Sequence, residues 1–201
     1  MDAADAVAGP IRAKLTRYVE ILASRGIDWG LIGPREADRL WERHVLNSLA
    51  VEAFVPLGAR VLDVGSGAGL PGIPLALVRP DVTVTLLEPL LRRWTFLCGV
   101  IEELELADRM TAQRGRAEDF SGHFEVVTCR AVAPLTTLVG WCSPLVAQGG
   151  SLVALKGRSA AEELTDAFQY LRTSGWKAQV HEVVPPGCTD PTWAVELRRF
   201  T

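Results

Sequence analysis

From Pro56 onward, short runs of β-branched residues alternate with stretches of helical length. The predicted strands of this part are residues 60–64, 82–88, 110–113, 124–129 and 151–156, and the predicted helices between them are 71–78, 89–105 and 134–146. Strands that alternate with helices of this length form βαβ units, whose crossovers bring parallel strands into one sheet. The sequence therefore predicts an α/β fold in which helices cover both faces of a parallel sheet.

The end of the chain departs from this alternation. After a predicted helix over residues 160–173, two strand-like runs, 176–184 and 192–199, are joined only by Pro-Pro-Gly-Cys-Thr-Asp-Pro. A connection this short cannot cross over to a parallel neighbour, so these two strands must pair antiparallel. We therefore expect a mostly parallel sheet of seven strands that ends in an antiparallel hairpin, unlike the plain dinucleotide-binding fold.

The residues before this alternation are predicted to be helical. Apolar side chains recur at helical spacing over residues 10–27, and a second helix is predicted from Pro34 to about Phe54. The whole chain has 201 residues, which is about the length of one domain. We expect one compact core over residues 58–201, with an N-terminal helical layer, residues 1–57, packed on it.

The strongest chemical signal is the run Val-Leu-Asp-Val-Gly-Ser-Gly-Ala-Gly-Leu-Pro-Gly over residues 61–72. It joins a predicted buried strand to a predicted helix, and its three alternating glycines are Gly65, Gly67 and Gly69. Glycine allows the backbone to adopt positive φ and to approach a ligand closely. The amides of such a turn and of the following helix N-terminus then face the ligand, so this segment predicts a nucleotide-like binding site.

Two acidic residues narrow the class of ligand. Asp63 stands two residues before the first glycine, where the pyrophosphate of a dinucleotide would repel a carboxylate. Glu88 ends the next strand, where an acid accepts hydrogen bonds from ribose hydroxyls. S-Adenosylmethionine suits both positions, with its ribose at Glu88 and its cationic methionine end near Asp63. The alternative is a generic nucleotide turn with Asp63 as a solvated acid, and the terminal hairpin favours the methyl donor.

Charged residues follow the other strands at the same edge of the sheet. Arg116 and Glu118 come after the third strand, over the expected adenine position, while Arg130 and Lys156 end the fourth and fifth strands. Ligands of such folds bind at the carboxyl ends of the strands. An isolated arginine at a strand end is usually a surface residue, whereas three cations beside one pocket favour a functional site.

Two classes of methyl acceptor lack their sequence signatures. The Asn/Asp-Pro-Pro-aromatic loop that holds an amino group is absent after the fourth strand. Attack through carbon five of a pyrimidine needs a nucleophilic cysteine, but Cys129 is followed by Arg130 and is better explained as a core thiol. An amino group or a pyrimidine carbon is therefore disfavoured as the acceptor.

The wider pattern closely resembles the glucose-inhibited division protein B (GidB) family. The run 63–80 carries the resemblance together with Arg-His-x-x-Asn-Ser before it and Gly-Arg-Ala-Glu-Asp, Thr-Cys-Arg-Ala-Val-Ala-Pro-Leu and Ala-Leu-Lys-Gly after it, and the match covers about residues 40–160. Gly-Leu-Pro-Gly-Ile-Pro directly after a glycine turn is uncommon in other methyltransferases. The resemblance implies a Rossmann-like class I S-adenosylmethionine-dependent methyltransferase that produces S-adenosylhomocysteine. Its implied target is N7 of a guanine, position 527 in the family, in bacterial 16S ribosomal RNA.

Residue by residue, the family's donor contacts fall on Gly65, Leu70, Ala117, Glu118 and Arg130. Arg116 and Arg130 match its important arginines, and His44 matches a family histidine in the helical layer. Helix spacing alone would make His44 a surface or interface residue. The chain departs from the family pattern with Gly-Leu-Ile at 30–32 in place of Asn-Leu-Thr, and with Asn47 in place of Asp. The polar contacts of those family side chains are therefore not carried over.

The implied chemistry suits this set of residues. Guanine N7 has an in-plane lone pair and no proton, so its methylation needs no general base. Catalysis can then rest on alignment of the nitrogen, the methyl carbon and the sulfur. A cation beside N7 would disfavour the cationic product, so we expect Arg130 and Lys156 to orient guanine O6 or a phosphate. The candidate catalytic residues are Arg130, Arg116, His44 and Lys156, and the candidate donor contacts are Asp63, Gly65, Gly67, Gly69, Leu70, Glu88, Ala117, Glu118 and Arg130.

Composition sets the remaining expectations. The formal net charge is −3, so binding to the small ribosomal subunit requires cations gathered on one face. The candidates for that face are Arg92, Arg93, Arg116, Arg130, Lys156 and Arg158. If these cations were scattered over the surface, a small-molecule methyltransferase would be the better interpretation of the sequence. A nicotinamide-dependent oxidoreductase and a non-catalytic scaffold are the more distant alternatives.

The cellular setting is predicted from cysteines and apolar runs. The four cysteines form no Cys-x-x-Cys pair, which favours reduced thiols and predicts no metal site. No apolar run approaches the roughly 18 residues that cross a bilayer, and the N-terminus lacks the basic region of a secretory signal. We expect a cytoplasmic monomer that does not bind membranes.

Overall fold

A twisted sheet forms the centre of the molecule. The computed structural model describes residues 9–130 and 132–200. Within these ranges the strands are β1 Arg60–Val64, β2 Thr83–Glu88, β3 Met110–Arg114, β4 Phe124–Arg130, β5 Val146–Lys156, β6 Trp176–Val183 and β7 Thr192–Arg199. Their order in the sheet is β3-β2-β1-β4-β5-β7-β6, in which β1 to β5 are parallel and β7 runs antiparallel to both β5 and β6. The predicted sheet and its terminal hairpin are confirmed.

Helices connect the strands as the alternation predicts. The α-helices of the described ranges are α1 Gly9–Ile21, α2 Gly72–Val78, α3 Leu91–Glu103, α4 Leu135–Cys142 and α5 Ala160–Thr173. The prediction that the helix before β5 extends to Val146 is wrong, because α4 ends at Cys142 and Val146 already belongs to β5. Pro144 lies in the short 3-10 turn between them, and proline has no N–H with which to continue an α-helix.

The segment before β1 is helical but irregular. A π-helical turn, Leu22–Gly26, follows α1. The predicted helix from Pro34 to Phe54 contains a 3-10 helix, Pro34–Arg39, a π-helical segment, Leu40–Leu46, and a second 3-10 helix, Leu49–Phe54. Changes of pitch of this kind leave backbone carbonyls open to side-chain donors. We call this irregular region together with α1 the helical layer.

The core lies on both faces of the sheet. Side chains of successive strand residues point to opposite faces, so Val61 belongs to one hydrophobic cluster and Leu62 to the other. The cluster of Val61 contains fully buried residues of the helical layer, Leu15 and Tyr18 among them, whereas the cluster of Leu62 is covered by α4 and α5. Among the described residues, no helix is long and apolar enough to cross a membrane.

Candidate functional site

A cavity of about 570 Å³ opens over the carboxyl ends of β1 and β2. Its floor consists of residues 65–68 and Leu70 of the glycine turn, together with Glu88. His44 and the loop residues Leu31 and Ile32 line it from the helical layer, and Arg130 lines it from the end of β4. We call it the turn cavity. It lies at the sheet edge where the sequence predicts a ligand.

The shape of the turn depends on its glycines. Gly65 has φ +68°, and a Cβ there would lie 3.0 Å from Val132 Cγ2. Gly69 has φ +99°, and a Cβ there would overlap the Ile73 side chain. Both positions have a positive φ, which strains any residue with a side chain, and packing adds a tight contact at Gly65 and a steric overlap at Gly69. The backbone itself therefore forms the floor of the cavity.

Glu88 is buried under the same turn. Its Oε2 accepts the Gly67 N–H at 3.0 Å, and its Oε1 accepts the Leu90 N–H at 3.0 Å. A carboxylate has about four acceptor positions, so two hydrogen bonds hold the side chain and leave lone pairs for a ligand. Glu88 is thus oriented before any ligand binds.

Asp63 lies below the turn and does not line the cavity. Its Oδ2 accepts the Gly72 N–H at 3.1 Å, while its Oδ1 is buried without a hydrogen-bond partner in the described residues. Burial raises the pKa of Asp63 to about 7, against the opposing effect of the Gly72 amide. The structure thus places this residue where it holds the start of α2, and its carboxylate faces the interior.

Tyr18 also supports the turn, and sequence reasoning missed it. Its hydroxyl donates to the Ala68 carbonyl at 2.8 Å, although α1 is far from the turn in sequence. The side chain is fully buried, and burial raises its pKa well above the usual range. In sequence, Tyr18 is one of several apolar residues along a helix stripe, and local pattern gives no sign of this contact.

A smaller cavity of about 190 Å³ lies on the other side of Gly65. We call it the side cavity. It shares Gly65, Pro89 and Val132 with the turn cavity, and Arg116, Ala117 and Glu118 line it after β3. Ala117 is buried, whereas Arg116 and Glu118 are exposed. The two cavities together can hold a ligand with a polar middle and a flat, mostly apolar end.

Arg130 is partly buried between the end of β4 and the helical layer. Its Nη1 donates to the His44 carbonyl and to Ser48 Oγ, both at 2.9 Å, and its Nη2 donates to the Arg43 carbonyl at 2.7 Å. Both carbonyls, of Arg43 and His44, belong to the π-helical segment, and Ser48 follows that segment by two residues. Burial lowers the pKa of Arg130 to about 10, so the side chain keeps its charge at neutral pH. Its partners are neutral groups.

His44 faces Arg130 from the helical layer. Its Nε2 lies 3.0 Å from Glu36 Oε2, and its Nδ1 lies 3.5 Å from Arg130 Nη2. Burial lowers the pKa of His44 below its usual value. A neutral ring with its proton on Nε2, toward the carboxylate, and a free lone pair on Nδ1, toward Arg130, satisfies both contacts.

A third cavity, of about 510 Å³, lies between the helical layer, the end of β5 and the β6–β7 turn. We call it the hairpin cavity. Its cations include Arg39, Arg43, Lys156 and Arg158. Lys156 donates to the Ala133 carbonyl at 2.7 Å and pairs with Glu163 at 2.8 Å, so its ammonium group is already held. Arg130 lines this cavity as well as the turn cavity.

The sequence-predicted residues therefore fall into three groups. Gly65, Gly67, Leu70, Glu88, His44 and Arg130 line the turn cavity, Arg116, Ala117 and Glu118 line the side cavity, and Arg130 and Lys156 line the hairpin cavity. Asp63, below the turn, and Gly69, within it, line none of the three cavities. No cluster of three or more His, Cys, Asp or Glu residues in the described ranges could hold a metal ion.

Comparison with known proteins gives matches in sequence and in structure. The family model described as rRNA small subunit methyltransferase G (GidB) matches residues 11–186. A Ribosomal RNA small subunit methyltransferase G of Kineococcus radiotolerans is 50% identical over 200 residues, which cover 98% of this chain and 78% of the relative. A ribosomal protein L11 methylase of Lactobacillus delbrueckii subsp. bulgaricus has a similar structure, with TM-score 0.60 and 16% identity over 78% of each chain. P. horikoshii TYW2 in complex with MeSAdo is similar with TM-score 0.59 and 19% identity, over 77% of this chain and 61% of that one. The structural likeness extends to the fold, and the sequence likeness extends over nearly the whole chain.

Proposed function

The chain belongs to the rRNA small subunit methyltransferase G family and has the class I methyltransferase fold, and from this premise we propose that it methylates guanine N7 in 16S ribosomal RNA with S-adenosylmethionine. The target guanine is the family's position 527, and the second product is S-adenosylhomocysteine. The proposal makes the small ribosomal subunit its partner and the cytoplasm its location, and the protein acts as a monomer.

The observation that carries the proposal is the position of Arg130. One face of this side chain lines the turn cavity, and another lines the hairpin cavity. A methyl donor in the first cavity and a nucleobase in the second would therefore meet at a single, firmly held cation. Direct transfer between two substrates needs this kind of close approach, with reacting atoms about 3 to 3.5 Å apart.

The residues of the turn and side cavities suit S-adenosylmethionine, which supplies an electrophilic methyl group on a sulfonium sulfur. Glu88 keeps free lone pairs for two ribose hydroxyls. Gly65, Gly67 and Leu70 offer backbone contacts to the middle of the donor, and a side chain at Gly65 would meet Val132. Ala117 and Glu118 lie beside the apolar surface that suits adenine. The cavity therefore fits the donor by shape and by hydrogen-bonding groups.

Asp63, Gly69 and Tyr18 act on the donor through the turn. Asp63 holds the Gly72 amide, Gly69 packs on Ile73, and Tyr18 holds the Ala68 carbonyl. Because Asp63 does not line the cavity, its effect on the cationic end of the donor is indirect. These three residues are positioning residues, and Glu88 is the carboxylate that contacts the donor.

No side chain has to move a proton in the proposed reaction, because guanine N7 carries a lone pair and no hydrogen. Arg130 is held rigidly by three neutral acceptors, and a fixed donor orients guanine O6 or a phosphate at little entropic cost. His44 stays neutral and fixes the guanidinium through Nδ1. Lys156 stabilises the end of β5 and adds positive potential to the hairpin cavity. Arg116 is exposed over the side cavity, where it suits a phosphate of the RNA.

The acidic net charge does not oppose RNA binding, because the cations are gathered at one edge. Of the predicted RNA-facing residues, five line at least one of the three cavities: Arg93, Arg116, Arg130, Lys156 and Arg158. Arg92 is the exception, since it donates to the Asp28 carbonyl at 3.3 Å. Folded RNA is recognised largely through phosphates and shape, and a reacting base is exposed or flipped into its pocket.

The test is transfer of labelled methyl groups from S-adenosylmethionine to unmodified small subunits and to protein-free 16S RNA, followed by mapping of the modified base. We expect a single N7-methylguanine, and the better substrate will show whether ribosomal proteins contribute to recognition. Tight donor binding without transfer to either substrate would contradict the proposal and would favour a small-molecule acceptor or a scaffold.

A further inference from the structure

The hairpin cavity contains two carboxylates that phosphate binding does not explain. Glu42 and Asp190 both line it, among Arg39, Arg43 and Arg158. Neither carboxylate makes an ion pair or a hydrogen bond with any described residue, although five cations line the same cavity, Arg130 and Lys156 included. Both lie near Cys188, whose thiol pKa is raised by burial and then by these two negative charges. A phosphate placed directly beside these two carboxylates would be repelled, so the carboxylates suit a ligand group that donates hydrogen bonds.

The two carboxylates occupy different walls of the cavity. Glu42 lies in the π-helical segment, two residues before His44, which lines the turn cavity. Asp190 lies in the turn between β6 and β7, and no residue of that turn lines the turn cavity. Since Lys156 at the end of β5 pairs with Trp193 in β7, Asp190 stands beyond the end of β5. Asp190 is therefore on the wall that faces away from the donor.

The edges of guanine match this arrangement. N7 and O6 are acceptors on one edge, whereas N1–H and the N2 amino group are donors on the far side of the six-membered ring. When N7 faces the turn cavity, the two donors face the opposite wall. A carboxylate accepts two parallel N–H groups in strong, charge-assisted hydrogen bonds.

We propose that Asp190 recognises the target base as guanine by accepting hydrogen bonds from N1–H and N2–H; this rests on the proposed function. Adenine would present the N1 lone pair to the carboxylate and has no amino group at C2, so both contacts would be lost. A flipped base is selected by this kind of contact to its Watson–Crick edge. A site that is built to bind a polar group discriminates strongly against an analogue that lacks it.

The experiment compares guanine with inosine, which keeps N7, O6 and N1–H but lacks the N2 amino group. Small subunits are reconstituted with either base at the target position, and single-turnover methyl transfer is measured for the wild type, Asp190→Ala and Glu42→Ala. For the wild type we expect a guanine-to-inosine rate ratio of about ten or more, as for loss of a hydrogen bond to a charged group. In Asp190→Ala the ratio should fall to about that of the bases' intrinsic reactivity, near one.

Glu42→Ala is the matched control, because it removes the other free carboxylate of the cavity and should keep the wild-type ratio. Both residues are exposed, and binding of S-adenosylhomocysteine should be unchanged in both variants. A wild-type ratio near one, or an unchanged ratio in Asp190→Ala, would overturn the inference. A ratio lost in Glu42→Ala and kept in Asp190→Ala would also overturn it. Absence of transfer to guanine by the wild type is a distinct result, which would overturn the proposed function itself.

Discussion

The turn cavity and the hairpin cavity lie at the same edge of the sheet but differ in construction. The floor of the turn cavity is mainly the backbone of the glycine turn, and buried side chains such as Tyr18 and Glu88 hold that backbone in place by hydrogen bonds. The hairpin cavity is lined by charged side chains, several of which are exposed. The first construction suits a small ligand of fixed shape, because its preorganised contacts cost little entropy on binding.

The second construction suits a ligand that brings its own charge and conformation. Arg158 is exposed and makes no side-chain hydrogen bond or ion pair within the described ranges, so it is available to a partner. Electrostatic contacts of this kind guide association and adapt to a flexible polymer. Under the proposed function, the donor site is therefore rigid and the RNA site adaptable, with Arg130 between them.

Arg130→Ala should have the largest effect, because both cavities share this residue. The substitution removes the guanidinium that donates to the His44 and Arg43 carbonyls and to Ser48 Oγ. We expect single-turnover methyl transfer to fall about a hundredfold or more, as for loss of a preorganised donor. The Kd of S-adenosylhomocysteine, measured by calorimetry, should rise by a smaller factor.

Arg60→Ala is the control for Arg130, since Arg60 forms an exposed ion pair with Glu125 at the far end of β1. Its methyl transfer should remain at the wild-type level. Wild-type turnover and donor affinity in folded Arg130→Ala would remove Arg130 from the site.

Rigidity of the turn is tested by Gly69→Ala. The new Cβ would overlap Ile73 at φ +99°, and we expect a loss of about 2 to 3 kcal/mol in the free energy of unfolding, from overpacking and backbone strain together. Gly67→Ala is matched to it, because its nearest non-neighbour atom would be 3.8 Å from the new Cβ. That variant should lose only about 1 kcal/mol, from left-handed strain. Urea unfolding measures both, and equal losses would contradict close packing at Gly69.

The buried carboxylate gives the turn a pH dependence. The pKa of Asp63 is raised to about 7, so the folded state holds its proton more tightly than the unfolded state does. The stability that this proton contributes is complete at acid pH and is lost as the pH rises through 7. Relative to Asp63→Asn, the wild type should lose about 2 kcal/mol of unfolding free energy between pH 5 and pH 7. Urea unfolding at several pH values measures the difference between the two proteins, and parallel pH profiles would show that Asp63 ionises normally.

The adaptable site is tested by Arg158→Ala, which should have the smallest effect. We expect the Kd for small-subunit RNA to rise only a few-fold, and the slope of log K against log salt to decrease by about one, because one phosphate contact is lost. Donor affinity should be unchanged. Arg172→Ala, on the exposed side of α5, is the control. A changed donor affinity in Arg158→Ala would mean that the two cavities are not separate in function.

The glycine turn could be predicted because the residues that form it are contiguous in the sequence. Residues 61–72 contain the end of a strand, the glycines and the start of a helix, and the short connection after residue 184 implies the antiparallel hairpin. The complete burial of Asp63 could not be predicted. An acidic residue near a strand end has the same sequence pattern whether its side chain faces solvent or the core. Local sequence specifies conformation, and packing decides exposure.

The hairpin cavity was only partly predictable because four separate segments form it. Arg130 and Lys156 follow from the rule that ligands bind at the carboxyl ends of parallel strands. Arg39 and Glu42 depend on the pitch of the helical layer, which becomes π-helical at Leu40 without a clear sequence signal. The position of Asp190 depends on how the β6–β7 turn packs against that layer, where Cys188 lies 3.9 Å from the Glu42 carbonyl.

The contact of Tyr18 with Ala68 has a consequence for cooperativity. The Tyr18 hydroxyl of α1 donates to the Ala68 carbonyl of the glycine turn, and the Tyr18 ring lies in the same hydrophobic cluster as Ile73 of α2. Opening of the glycine turn and detachment of α1 would each break the Tyr18–Ala68 hydrogen bond and expose the buried side chain of Tyr18. The two segments should therefore behave as one unit in native-state hydrogen exchange. Binding of the proposed methyl donor should then slow amide exchange in α1 as well as in the glycine turn. Exchange in the first helix would thereby report whether the donor is bound.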